Sequence, residues 1–382
     1  MLFSVTKECF SRLFKLAALV AIEKKSGSNH IVGSHVLLSA QNNNLTLTAT
    51  DSDVELIVEE YVDNGVKLSG AAVVPFRKIS EICRAMTENV TLNISVQDPP
   101  ALKFNIESSQ GCFALNYLLP DVFPTVSHKI FNYEFAVEVK LLQNLFGKVA
   151  FAMGDDEGRR FLNGVFLHFA VDEIISVAAD GHRLMVWEVD NASAYNLFNE
   201  QIKEPLKILI PRKSVFDVLK IINEFSADCL LKIYIGDNHF RIQTNNITYT
   251  SRLLAATFPP FKKLIPRHAK NVLTVQREPF KNCLLRAAAL LGDRTQGVKV
   301  KFSQNILKIT GRSEQEDLVT ESLPAVFEGE EIEIGFNIKY LLDFLSNVQS
   351  DTIIFKIENS TTGTLIHDAT LSGSYVLMPM QI

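Results

Sequence analysis

Three passages of the chain read alike: "VVPFRKISEICRAM" (73–86), "LIPRKSVFDVLKII" (209–222) and "GFNIKYLLDFLSNV" (335–348). Aligned on Pro75, Pro211 and Asn337, each predicts a short strand end, a break and then a helix. An acid stands six residues on, at Glu81, Asp217 and Asp343. Apolar residues recur at Ile79, Val215 and Leu341, at Ile82, Val218 and Phe344, and at Cys83, Leu219 and Leu345. That is the i, i+3, i+4 stripe of a helix packed on one face. Proline suits a helix start, where the N–H it lacks would be unpaired anyway. The copies lie 136 residues (75 to 211) and 126 residues (211 to 337) apart, close to a third of the 382. A period of that length makes the fold a repetition, whatever else the chain carries.

Other segments keep the same order. An amphipathic helix opens each third: Phe10, Leu13, Phe14, Ala17; then Leu142, Leu145, Phe146, Val149; then Phe280, Cys283, Leu284, Ala287. Each third closes on a predicted apolar strand with proline, "YLLPDVFP", "RLLAATFPPF" and "YVLMPM". Between them run alternating segments such as "NLTLTATDSDVELIVEEYV" and "DCLLKIYIGDNHFRIQTN", the pattern of antiparallel hairpins. The expected fold is α+β: three tandem copies of one domain, at 1–128, 129–266 and 267–382, each large enough to hold its own core.

Net charge is −5, so a generally basic coat for nucleic acid is excluded, whereas a local basic surface is not. Five scattered cysteines, with no zinc or redox spacing, read as reduced thiols of a cytoplasmic protein. The run "LFKLAALVAI" (13–22) is interrupted by Lys15 and followed by "EKK". It is too short to span a membrane and reads as an amphipathic helix.

The stretch "AADGHRLMVW" (178–187) places Asp180, Gly181, His182 and Arg183 together. Catalysis is not its natural reading. "TLTATDSDVEL" in the first copy aligns with "ISVAADGHRLM" in the second, Asp51 above Asp180, and "KITGRSEQEDL" in the third has no Asp there. A repeated strand–turn–strand accounts for the Asp. The chain has no Gly-rich phosphate loop, no nucleophile elbow and no histidines at ligand spacing, so no enzyme, cofactor or metal is expected.

"RRFLNGVFL", "ADGHRL", "FPPFKKLIP", "EIGFNIKYLLDFL" and the terminal "YVLMPM" resemble, in order and across the whole chain, the bacterial DNA polymerase III beta subunit, the replicative sliding clamp. The resemblance implies clamp domains whose helices pack on antiparallel sheets. It implies a head-to-tail homodimer that closes a ring around duplex DNA, sequence-independently, with helices lining the hole. Phosphate contacts without base contacts suit a protein that slides. Partners would be the replicative polymerase, the clamp loader, and other polymerases or repair proteins carrying short peptide motifs; no membrane is involved.

The resemblance also implies a peptide groove formed by Leu162, Ala179, Gly181, His182, Arg183 and Leu184, with Pro259, Lys263 and Leu264, and with Val376, Leu377, Met378, Pro379, Met380 and Gln381. Asn337 and Tyr340 are further candidates. Apolar anchors and adaptable methionines suit that task. Ala179 stands where the family usually has Thr, and Gln381 where Arg is common.

DNA contacts are expected from Lys24 and Lys25, Arg77, Lys78 and Arg84, Arg159 and Arg160, and Arg212 and Lys213. The pairs Arg77–Lys78 and Arg212–Lys213 read as equivalent in two copies, although surface helices carry such residues in any case. Asp155, Asp156 and Glu157 in "GDDEGRRF" would repel phosphate, which leaves that loop's role open. Phe113 is expected to meet Ala289 and Leu290 across the dimer interface, with apolar contact outweighing ion pairs. The alternative function is a three-repeat interaction scaffold that does not encircle DNA.

Overall fold

The computed structural model describes residues 1–21, 33–62, 65–124, 129–156, 158–170, 173–189, 205–292, 296–368 and 372–382. Among the described residues six α-helices recur in pairs, two per third: α1 (Lys7–Ala17) and α2 (Phe76–Ala85), α3 (Val139–Gly147) and α4 (Arg212–Ile222), α5 (Arg277–Leu291) and α6 (Ile338–Asn347). Strand Leu2–Thr6 runs into α1, Tyr133–Glu138 into α3 and Asn271–Gln276 into α5. The predicted apolar stripes are the buried faces: Phe10, Leu13, Phe14 and Ala17; Leu142, Leu145, Phe146 and Val149; Phe280, Cys283, Leu284 and Ala287. The Thr6 hydroxyl caps α1 by accepting from Cys9 N, and Gly292, at φ +71, ends α5.

The second helix of each copy departs from expectation at its start. No break separates strand from helix: Gly70–Pro75, Leu206–Pro211 and Ile332–Asn337 lead directly into α2, α4 and α6. Pro75 is not in the first turn but at the extended N-cap, φ −69 and ψ 111, where it also ends the strand against His35. The third copy has Asn337 there, and its Oδ1 accepts from Lys339 N and Tyr340 N. Proline fixes the required backbone and asparagine caps it, so one position accepts both.

Two compact units emerge. One comprises Met1–Val139 with Lys220–Leu253, the other Lys140–Leu219 with Leu254–Ile382. The first contains a five-stranded and an eight-stranded sheet, the second a nine-stranded and a four-stranded sheet. The units divide the central copy because sheets continue across copies. Val54–Tyr61 of the first copy pairs antiparallel with Ile247–Arg252 of the second, and Arg183–Glu188 of the second with Gly373–Leu377 of the third.

The repeated turn is built as the alignment implies. Asp51 Oδ1 accepts from Asp53 N and Val54 N, and Asp180 Oδ1 from His182 N and Arg183 N. The third copy does this with Ser313, whose Oγ accepts from Gln315 N and Asp317 N. One side-chain oxygen therefore holds the turn in all three copies. Of the expected closing strands only Gly373–Leu377 is one; the first segment contains the 3-10 turn Pro120–Val122, and the second runs up to the 3-10 turn Phe261–Lys263. Their prolines withhold the N–H donors a ladder needs. The five cysteines are not joined in disulfides, and no helix among the described residues is long and apolar enough to cross a membrane.

Candidate peptide groove and basic surface

The candidate groove residues separate into a floor and a rim. Leu162, Ala179, Leu184 and Val376 belong to one buried cluster with Ile175, Val177, Val186, Phe261 and Leu365, with Phe258 and Ile265 packed against it. Leu377 is wholly buried at the end of its strand. By contrast Leu264 is 59% exposed, Met378 44% and Met380 40%, while His182, Lys263 and Gln381 are also exposed. Pro259, Asn337, Tyr340 and Pro379 are half-buried. The tail is held by backbone bonds, Met378 N donating to His182 O and Met380 N to Gly335 O, each in under 3 Å at 2.9 and 2.8 Å. A Cβ on Gly335 would collide with the Met380 carbonyl, so glycine is required at that crossing. Gly181, at φ +95, has the Arg159 guanidinium directly over it.

Arg183 is not a free polar contact. It is 8% exposed, and its Nε donates to Asp180 Oδ2 at 2.9 Å and its Nη1 to Asp343 Oδ2 at 2.7 Å. Its guanidinium lies 4.2 Å over the Tyr340 ring and 5.7 Å from that of Phe151. Burial opposes its charge, but Tyr375, Asp343 and Asp180 more than offset this and raise its pKa. Tyr375 stacks on Phe344 at 4.7 Å and donates to the Tyr340 carbonyl; burial pushes its phenol well up. Arg183 thus ties the 180 turn to α6 and the last strand. Replacing Arg183 by Met leaves two carboxylates facing apolar surroundings, and we expect the unit's melting transition to lose about 3 kcal/mol. Arg183→Lys, with charge but no planar fork, should recover less than half of it in the same thermal melts.

Asp343, Phe344 and Tyr375 were missed as site residues. For Asp343 the repeat marks the position of an acid but not its partner. Arg77 pairs with Glu81 and Lys213 with Asp217, both i,i+4, at 2.9 and 2.7 Å. The third copy redirects the equivalent acid to Arg183.

The same pairs correct the assignment of equivalent basics. Counted from Pro75 and Pro211, Arg77 corresponds to Lys213, not to Arg212. Arg212 is half-buried, donates to the Met153 carbonyl at 2.8 Å and lies 5.2 Å from the Phe216 ring. Lys78, Arg84 and Arg160 are exposed. Arg159 donates to Asp156 Oδ2 at 2.9 Å, and that bond holds the Asp156 carboxyl below its usual range. Asp156 is thereby neutralised within its own loop. Lys24, Lys25 and Glu157 lie outside the described residues. Among the described residues no group of acids, cysteines and histidines could hold a metal.

The candidate interface residues lie on surfaces. Phe113 is half-buried on Gly111–Asn116, and Ala289 and Leu290 are exposed in the last turn of α5. Gly111–Asn116 ends the five-stranded sheet and Leu318–Pro324 ends the four-stranded one, so each has one edge without a partner strand among the described residues.

The chain is similar to known proteins along its whole length. The beta sliding clamp of Pseudomonas aeruginosa is 28% identical over 383 residues, covering all of both chains. That of Escherichia coli is 28% identical over 349 residues, 91% of this chain and 92% of the other. A crystal structure of the Pseudomonas aeruginosa DNA polymerase sliding clamp with ligand superposes with a TM-score of 0.90 at 28% identity, over the whole of both chains. Another from that organism, bound to griselimycin, does so at 0.90 and 27% over the same full coverage. Family models describing the N-terminal, central and C-terminal domains of the DNA polymerase III beta subunit match residues 1–127, 136–260 and 262–381. With three clamp domains matched in order along nearly its whole length, the chain belongs to the DNA polymerase III beta subunit family.

Proposed function

We propose that two copies of this chain close head to tail into a ring that encircles duplex DNA and tethers a polymerase to it. The observation that supports this most strongly is the pair of open sheet edges. Within the chain, the strand after the repeated turn of one copy pairs with the last strand of the next copy, at Val54–Tyr61 with Ile247–Arg252 and at Arg183–Glu188 with Gly373–Leu377. The remaining members of that series are Leu318–Pro324, after the third turn, and Gly111–Asn116, the last strand of the first copy. An unpaired edge seeks a partner strand. In a second copy, these two edges are each other's counterparts, and a two-fold arrangement satisfies both at once.

The role requires confinement and no catalysis. Exposed Lys78, Arg84 and Arg160 supply weak phosphate attraction, with Arg77 alongside. Arg77 and Lys78 stand in the first turn of α2, which carries no acid, and Arg212 and Lys213 begin α4. Cations there oppose the helix dipole. The dipole does not call for them; Arg77 and Lys213 also pair with Glu81 and Asp217 one turn on, and a facing polyanion would favour the same positive helix starts. Polymerases, the clamp loader and other partners dock by short peptides whose apolar side chains enter between Leu264, Met378 and Met380.

Retention on circular DNA tests the reading. The dimer, loaded on a nicked circle, should survive a high-salt wash and leave within minutes of linearisation. Equal loss before and after cutting would reduce the protein to a scaffold that binds from outside.

A further inference from the structure

The junction between the first two copies repeats the geometry of the groove with different chemistry. Asp51 corresponds to Asp180, and Ser52, at φ +84, to Gly181, at φ +95, so the same left-handed turn position is kept. Asp53 then stands for His182. Aligning "VFPTVSHKIF" (122–131) with "TFPPFKKLIP" (257–266) on Phe123–Pro124 and Phe258–Pro259 puts Lys129 where Leu264 stands. Arg252 ends its strand as Leu377 ends the counterpart strand. Charged residues thus replace apolar anchors at corresponding places. Between them is a cavity of about 290 Å³ lined by Lys129, Arg252, His239, Asp53, Asp237 and Asn238 among others.

The cations are loosely held. The Lys129 side chain is only 7% exposed, yet the carboxylate facing it, Glu55 Oε2, is 3.8 Å away, beyond hydrogen-bond length. Arg252 Nη1 stands 3.6 Å from Asp53 Oδ1, also too far, whereas Asp237 accepts from Asn132 Nδ2 at 2.7 Å. An ammonium with three donors, almost closed off from water, lacks a short acceptor in this ion pair. Burial lowers the pKa of His239, and Lys129, Arg252 and Arg241 lower it further. At the His239 ring the cations therefore outweigh the acids, although Asp53 and Asp237 also line the cavity.

We propose that this cavity is an oxyanion site, taking a carboxylate or phosphate group between Lys129 and Arg252. It does not depend on the groove reading, since its ligand is charged where the groove's anchors are apolar. The test uses the full-length protein and follows the His239 ring by NMR, assigned with His239→Gln, while inorganic phosphate or triglutamate is added. The charged groups around the ring are Lys129, Arg241 and Arg252 against Asp53, Glu55 and Asp237. A bound anion stabilises the imidazolium, so the His239 pKa should rise on saturation. Response to phosphate identifies a free small anion as sufficient, and response to triglutamate alone identifies a peptide carboxylate. Arg252→Gln, at an exposed position, should weaken binding about tenfold, and Lys129→Met at least as much. No movement of His239 with either anion at tens of millimolar, or unchanged affinity in Arg252→Gln, overturns the proposal.

Discussion

A Phe113→Glu, Leu290→Glu double variant should sediment as a 42.7 kDa monomer at concentrations where the parent is a dimer of twice that mass. Both side chains stand at the protomer surface, Leu290 being 42% exposed, so the fold should change by no more than about 0.5 kcal/mol. In a ring, each of two identical interfaces would bury two carboxylates. Such a burial costs several kcal/mol, and the dissociation constant should rise about a thousandfold or more. The nearest acid on the open strand is already engaged. Glu321 accepts from Arg286 Nε at 2.7 Å and from its Nη2 at 2.8 Å, both within the protomer. Apolar contact and backbone pairing are then left to hold the parent dimer. Its affinity should fall little from low to moderate salt, where an interface of exposed ion pairs would weaken. A double variant that remains dimeric by sedimentation equilibrium would remove Gly111–Asn116 and α5 from the interface.

What the sequence disclosed depended on how far apart the interacting residues are. The six helices were legible because their apolar stripes are local, and Phe10, Phe146 and Phe280 are buried where the period puts them. The turn was legible from Asp51 and Asp180, and its third version was hidden because Ser313 does the same work with a hydroxyl. The helix starts were misplaced by a residue, since Pro75 and Pro211 end strands as readily as they precede helices. The charged contacts were the least legible. Arg183 reads as a polar contact at the rim until Asp343, 160 residues away, takes its Nη1. No local pattern distinguishes that acid from Glu81, which merely pairs with Arg77 one turn before it.

Deleting residues 378–382 should leave the dimer and its thermal melt close to those of the parent, and should lower affinity for a polymerase-derived peptide at least a hundredfold. The stability argument is short. Tyr375, Val376 and Leu377, which close the last sheet and its core, all remain. Beyond them the tail contributes two backbone hydrogen bonds to His182 and Gly335, worth about 1 kcal/mol each, and side chains that are only partly covered. The binding argument runs the other way. Met378 and Met380 are unbranched, partly exposed apolar groups at the end of the strand whose Val376 belongs to the buried cluster with Leu162, Val177 and Leu184, and interface energy concentrates in such anchors. Gly335→Ala offers an independent route, because its new methyl would displace the Met380 carbonyl without removing any groove residue. Its affinity should fall between parent and truncation in fluorescence-anisotropy titrations. If the truncated protein keeps the parent's peptide affinity, the peptide sits elsewhere, and the exposed methionines of the tail have some other purpose.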